Sequence, residues 1–194
     1  NLTLILEFQM KLALSTLALI SLFIFPSVSF SNQVNLDISD ETIHVAVATK
    51  PSKKSLNISA SFLHHEDDGE VYSVGAFVQS PINNRQDLHG ALGGRFYYLD
   101  ADGPDGYGVG LGGEIGYKIP SVKGLSIHGE AYYAPKVMMF ADIERFVDVS
   151  IRIKYRILEQ GSVYLGYRSQ KVHVEHTSSE NIDEGAHVGI SLQF

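Results

Sequence analysis

Ala186-His187-Val188-Gly189-Ile190-Ser191-Leu192-Gln193-Phe194 alternates between apolar and polar residues. Successive side chains of a strand point to opposite faces. Val188, Ile190, Leu192 and Phe194 therefore share one face, and His187, Gly189, Ser191 and Gln193 the other. The same period recurs upstream. It is clearest in residues 143–157, where Val147, Val149, Ile151, Ile153, Tyr155 and Ile157 oppose Asp148, Ser150, Arg152, Lys154 and Arg156. Residues 33–39, 42–49, 55–63, 71–80, 88–99, 107–119, 125–134 and 163–174 alternate as well. Past residue 31 no stretch carries a convincing helical period. The pattern predicts about ten strands, most of them long enough to cross a bilayer at a tilt. The first is short, so eight strands plus a weak hairpin is the alternative.

Bulk properties narrow the class. The net charge of −7 argues against a nucleic-acid partner. Hydropathy averages close to neutral, as it does when greasy and polar faces cancel, and well below the value for a bundle of membrane helices. Cysteine is absent, which excludes disulfides, thiol chemistry, Cys-based zinc sites and a lipid-modified Cys within this sequence.

The first 31 residues read as an address. Met10-Lys11 supplies a basic start, residues 12–25 an apolar run, and Pro26-Ser27-Val28-Ser29-Phe30-Ser31 a small-residue exit. This is the pattern of a secretory signal peptide, with residues 1–9 as an upstream extension. The apolar run is shorter than the roughly 20 residues of a spanning helix. Residues 32–194 are expected to form one all-β domain.

Alternation alone does not say which face is enclosed. Three features point to a closed antiparallel transmembrane barrel, greasy side out. Connections at 49–55, 81–86, 120–123 and 159–162 look tight, whereas 64–70, 100–106, 135–142 and 175–185 look longer, as periplasmic turns and external loops do. Aromatics on the greasy parity gather at strand ends: Phe62, Tyr72, Tyr98, Tyr107 and Tyr133 toward the longer loops, and Tyr117, Tyr155 and Phe194 toward the tight turns. Two such rings suit two membrane interfaces. The polar parity carries both signs, in Arg95, Glu114, Glu130, Asp148, Arg152 and Arg168, which are expected to line a narrow lumen. They read either as an internal salt-bridge network or as the lining of a conduit. Inward glycines such as Gly108, Gly110 and Gly112 are expected to leave the lumen space.

Several stretches resemble the YfaZ family of Gram-negative outer-membrane proteins. They are Ser59-Ala60-Ser61-Phe62-Leu63-His64-His65-Glu66-Asp67-Asp68-Gly69-Glu70, Asp105-Gly106-Tyr107-Gly108-Val109-Gly110-Leu111-Gly112-Gly113, Gly129-Glu130-Ala131-Tyr132-Tyr133-Ala134-Pro135, Leu165-Gly166-Tyr167-Arg168 and Asp183-Glu184-Gly185-Ala186-His187-Val188-Gly189. The resemblance implies a small, porin-like barrel in the outer membrane and no particular reaction. The terminal aromatic strand likewise resembles the signal that the barrel-assembly machinery reads.

Candidate chemistry is sparse. Asp100, Asp102 and Asp105 are weak metal candidates, because hard cations take clustered carboxylates, but such residues also suit solvated turns. His64-His65 beside Asp67 and Asp68 could serve a lipid-modifying enzyme at the outer rim, yet no nucleophile motif accompanies them. The expected function is a porin-like or membrane-structural barrel, not an enzyme, with no cofactor. Its expected partners are outer-membrane lipid, lipopolysaccharide and the assembly machinery. The alternative is an outer-rim lipid-modifying enzyme, or a surface binding or adhesion barrel acting through acidic external loops. The sequence leaves oligomeric state open.

Overall fold

Each alternating stretch pairs edge to edge with the next until the last strand returns to the first. The structure, a computed structural model, describes residues 32–49, 56–100, 105–174 and 180–194. The signal-peptide reading of residues 1–31 lies outside them. The strands are β1 (Asn32–Ile38), β2 (Thr42–Thr49), β3 (Leu56–His65), β4 (Gly69–Pro81), β5 (Leu88–Asp100), β6 (Gly106–Lys118), β7 (Leu125–Ala134), β8 (Met139–Ala141), β9 (Ile143–Arg156), β10 (Gly161–Val174) and β11 (Glu180–Gln193). Ten of them form a closed antiparallel barrel, sealed where β1 pairs with β11. The three-residue β8 is a side piece on the upper end of β6, above the point where β7 leaves it. Closure leaves the barrel wall no open edge, the condition for a sheet in lipid.

The greasy parity faces outward. Val74, Leu92, Leu111, Ile151, Leu165 and Val188 are all more than half exposed. The start of β1, the end of β11 and the connections 82–87, 119–124 and 157–160 lie at one end, here the terminus end; 39–41, 66–68 and 135–142 lie at the far end. At the far rim Phe62, Tyr72, Tyr98, Tyr107 and Phe140 are direct cross-strand neighbours in one lateral row. Their rings follow one another at 5.0 Å for Phe62–Tyr72, 6.1 Å for Tyr72–Tyr98 and 5.4 Å for Tyr107–Phe140. Tyr117 and Tyr155 belong to the last turns of strand toward the terminus end.

Among the described residues the expected contrast in loop length holds only in part: 135–142 is the longer connection, 100–106 and 175–185 lie partly outside the described residues, and the loop at 64–70 does not form. β3 runs on through His65 and β4 begins at Gly69, so the expected loop at 64–70 shrinks to a three-residue turn. Gly69 takes φ 97°, the left-handed conformation that closes such a turn and that a residue with a Cβ resists. His65 Nδ1 accepts the amides of Asp67 and Asp68 at 3.2 and 3.1 Å and caps the turn. β1 and β2 are joined by a comparably short connection. β3 and β4 run on and use up residues that had looked like loop.

The lumen as candidate functional site

The inward parity builds two ion clusters and, toward the far end, an apolar layer. In the first cluster Arg95 of β5 reaches across to three acids: Asp148 at 3.0 Å, Glu130 at 3.2 Å and Glu114 at 3.7 Å. Arg152 meets Glu130 at 3.3 Å. Hydroxyls donate to the same acids: Tyr97 to Asp148 at 2.8 Å, Tyr132 to Glu114 at 3.2 Å and Ser150 to Glu130 at 2.9 Å. The Arg95 guanidinium also lies 4.1 Å from the centre of the Tyr132 ring. A buried charge is tolerated only with this degree of pairing.

Arg168 does not join that cluster. It pairs with Asp183 and, at 2.9 Å, with Asp37. Asp37 is 1% exposed and also accepts the Tyr164 hydroxyl at 2.8 Å, with His44 Nδ1 at 2.9 Å. Of the six residues expected to line the lumen, five therefore converge on Arg95 and Glu130, and the sixth anchors a second cluster. Asp37, Asp183, His44 and Tyr164 were not singled out from sequence. Asp37 lies on the polar parity of β1, so its direction was readable, but its partner lies 131 residues away.

Toward the far end the inner face turns apolar. Leu63, Val71, Leu99, Met139, Ile143, Phe146, Val172 and Ile182 are buried together with Tyr97 and Tyr132. Tyr97 and Phe146 meet edge to face at 4.7 Å. The layer fills the barrel where polar residues had been expected throughout. Ile182 enters it through an irregularity in the β10–β11 ladder between Gln170 and Lys171, which turns Ile182 and Asp183 inward side by side.

The inward glycines do not hold the lumen open. Each is the floor for a neighbouring side chain. A Cβ on Gly112 would stand 2.7 Å from Tyr132, on Gly110 3.0 Å from the Tyr97 ring, and on Gly189 2.6 Å from the Tyr164 hydroxyl. Met139 occupies the same relation to Gly108. The missing side chains make room for large rings lying against the wall, which is why open space does not result.

Space remains at the other end. A cavity of about 650 Å³ extends from the terminus-end connections down to Arg95, Tyr97 and Leu63. Its wall on β2 and β3 includes the small residues Ala46, Ala48, Ser59 and Ser61, with His44 and Leu63 deeper. The opposite wall on β9 presents Asp148, Arg152, Lys154 and Arg156.

With this geometry in view, the sequence matches the family profile described as "YfaZ precursor" over residues 9–194. The chain belongs to the YfaZ family. Among curated relatives, the outer membrane protein YfaZ of Escherichia coli (strain K12) is 26% identical over 156 residues, covering 79% of this chain and 83% of that one. Among solved structures, the outer membrane channel DcaP of Acinetobacter baumannii is similar at 13% identity and a TM-score of 0.43. That match covers 84% of this chain, which spans 62% of DcaP. A KdgM porin is similar at 10% identity and a TM-score of 0.44, covering 84% of this chain and 99% of the porin. This YfaZ-family chain is thus an outer-membrane β-barrel protein with porin-like structural neighbours.

The other sequence candidates among the described residues lie at the far end. In this YfaZ barrel, Asp100 and Asp105 are exposed, and Asp102 lies outside the described residues. Among the described residues no group of three or more His, Asp or Glu is arranged to hold a metal. His64 points outward and sits 3.5 Å from Glu70. His65 points inward and is occupied by the turn it caps.

Proposed function

We propose that this protein is a membrane-structural barrel with a blind, charged lumen, open on the periplasmic side, where β1 begins and β11 ends. The observation that carries the reading is the apolar layer around Phe146, whose side chain is fully buried across the far end of the lumen. Water-filled passage needs polar lining along the whole path, and here the path ends against Leu63, Tyr97 and Phe146. The paired ions below the layer tie β5, β6, β7 and β9 across the interior. In this role the protein carries out no enzymatic turnover, in keeping with His65 being committed to its turn. Outer-membrane lipid and lipopolysaccharide surround the greasy face. The assembly machinery engages β11, whose seam with the seven-residue β1 is short. The signal peptide is removed on export.

A second reading is porin-like passage. It is favoured by how far the cavity penetrates, since it stops one layer of side chains short of the far face. Planar-bilayer recording separates the two. The purified barrel is expected to be electrically silent, and the Phe146→Gly/Met139→Ala variant to conduct. Discrete conductance steps from the wild-type protein would overturn the blind-lumen reading in favour of passage.

A further inference from the structure

The lumen is not neutral where it is open. Among the residues lining the cavity are seven Arg and Lys against four Asp and Glu, in a chain whose overall charge is −7. Four of the seven cations have carboxylate partners: Arg85 with Asp87, Arg95 and Arg152 with the central acids, and Arg168 with Asp37 and Asp183. Lys118, Lys154 and Arg156 have none within ion-pair distance among the described residues. Lys154 donates to the Ser191 hydroxyl at 3.2 Å and lies 5.7 Å from the centre of the Tyr164 ring.

The topology concentrates these three. Lys154 is opposite Ser126 on β7, which is opposite Lys118 on β6, so Lys118, Ser126 and Lys154 form one lateral row. Arg156 follows two residues later on the same face of β9. Arg152 stands two residues deeper, flanked by His128. The facing wall of Ala46, Ala48, Ser59 and Ser61 contains no carboxylate to neutralise them. A structural network would place acids opposite these cations, as happens around Arg95. Here like charges instead converge on a void, where Glu159 is the one lining carboxylate outside the Arg95 cluster among the described residues, and low-dielectric walls focus the net positive field.

We infer that the terminus-end half of the lumen is a binding site for a small multivalent oxyanion, a polar molecule bearing phosphate or carboxylate groups. Lys118, Lys154 and Arg156 supply the charge. Ser126, which lines the cavity on β7, supplies a hydroxyl donor. The cavity volume lies within the range typical of small-molecule sites. The inference rests on the blind-lumen reading only for the side from which the ligand enters.

The test is isothermal titration of the detergent-solubilised full barrel with pyrophosphate, citrate and spermidine at low ionic strength. Expected is saturable binding of pyrophosphate or citrate that weakens as salt rises, with no binding of spermidine. Pyrophosphate binding tighter than citrate assigns phosphate chemistry, and the reverse assigns carboxylate. Lys154→Gln and Arg156→Gln should each weaken binding at least about tenfold, the worth of one charge-assisted contact. Lys171→Gln, at the far end, should leave it unchanged. Absence of anion binding at millimolar concentration, binding of spermidine instead, or undiminished affinity in Lys154→Gln/Arg156→Gln would overturn the inference. Should that double variant not refold, the wild-type comparison of anions with spermidine decides alone. Channel steps in a bilayer would refute the blind lumen without touching this result.

Discussion

Replacing Arg168 by Met tests whether the inner ion clusters hold the barrel together. The guanidinium is 5% exposed and lies between Asp37, 1% exposed, and Asp183, 5% exposed. Met keeps most of the stem volume and removes the charge. Asp37 keeps Tyr164 and His44, whereas Asp183 loses its ion-pair partner. Stranding a buried charge in this way costs about 3–5 kcal/mol. That is a large fraction of the ~5–15 kcal/mol that holds a typical domain folded. Arg168→Met/Asp183→Asn should recover part of the loss, so the two substitutions together should cost less than their sum by about 1–3 kcal/mol. The measurement is urea unfolding of the barrel in phospholipid vesicles, followed by far-ultraviolet circular dichroism because the chain has no Trp. A change below about 1 kcal/mol for Arg168→Met, the worth of a surface pair, would refute the reasoning and mean that lumen water screens these charges.

Four further outcomes follow from the same unfolding measurement. Phe146→Ala removes the centre of the apolar layer and should cost about 3–5 kcal/mol, as other buried aromatic truncations do. Gly112→Ala should cost about 1–3 kcal/mol, because the added carbon meets the Tyr132 backbone at 2.7 Å and forces β6 from β7. Gly185→Ala, whose added carbon would meet nothing within 4 Å, should be close to silent and controls for the chemistry of the change. Leu165→Lys, on the outward face where Leu165 is 56% exposed, should cost about 2–4 kcal/mol in a bilayer. A neutral result there would show that this face does not meet lipid.

How much of this was legible in the sequence depends on which coordinate of the barrel wall is asked for. Parity assigns a face, and it assigned Arg95, Glu114, Glu130, Asp148, Arg152 and Arg168 to the inside, where the structure places them. The aromatic row from Phe62 to Tyr107 was readable for the same reason, since a ring at the end of each strand needs no knowledge of the partner strand. Phe140 was not, because β8 is too short to show a period. Depth and lateral stagger are different matters. Leu63, Val71 and Leu99 share parity with Ser61, Ser73 and Arg95, and only the distance along the strand separates the apolar layer from the polar cavity. Stagger decides that Arg168 meets Asp37 and not Asp148, although Gln170, one step along the same face of β10, does reach Asp148 at 3.2 Å. Ile182 escapes parity altogether through the ladder irregularity. The glycines mislead for a related reason: an absent side chain marks room, but the strand next door decides what takes it. Reading inner-face residues by height above the terminus end, as well as by parity, would have divided this lumen into a basic mouth, a paired middle and an apolar cap.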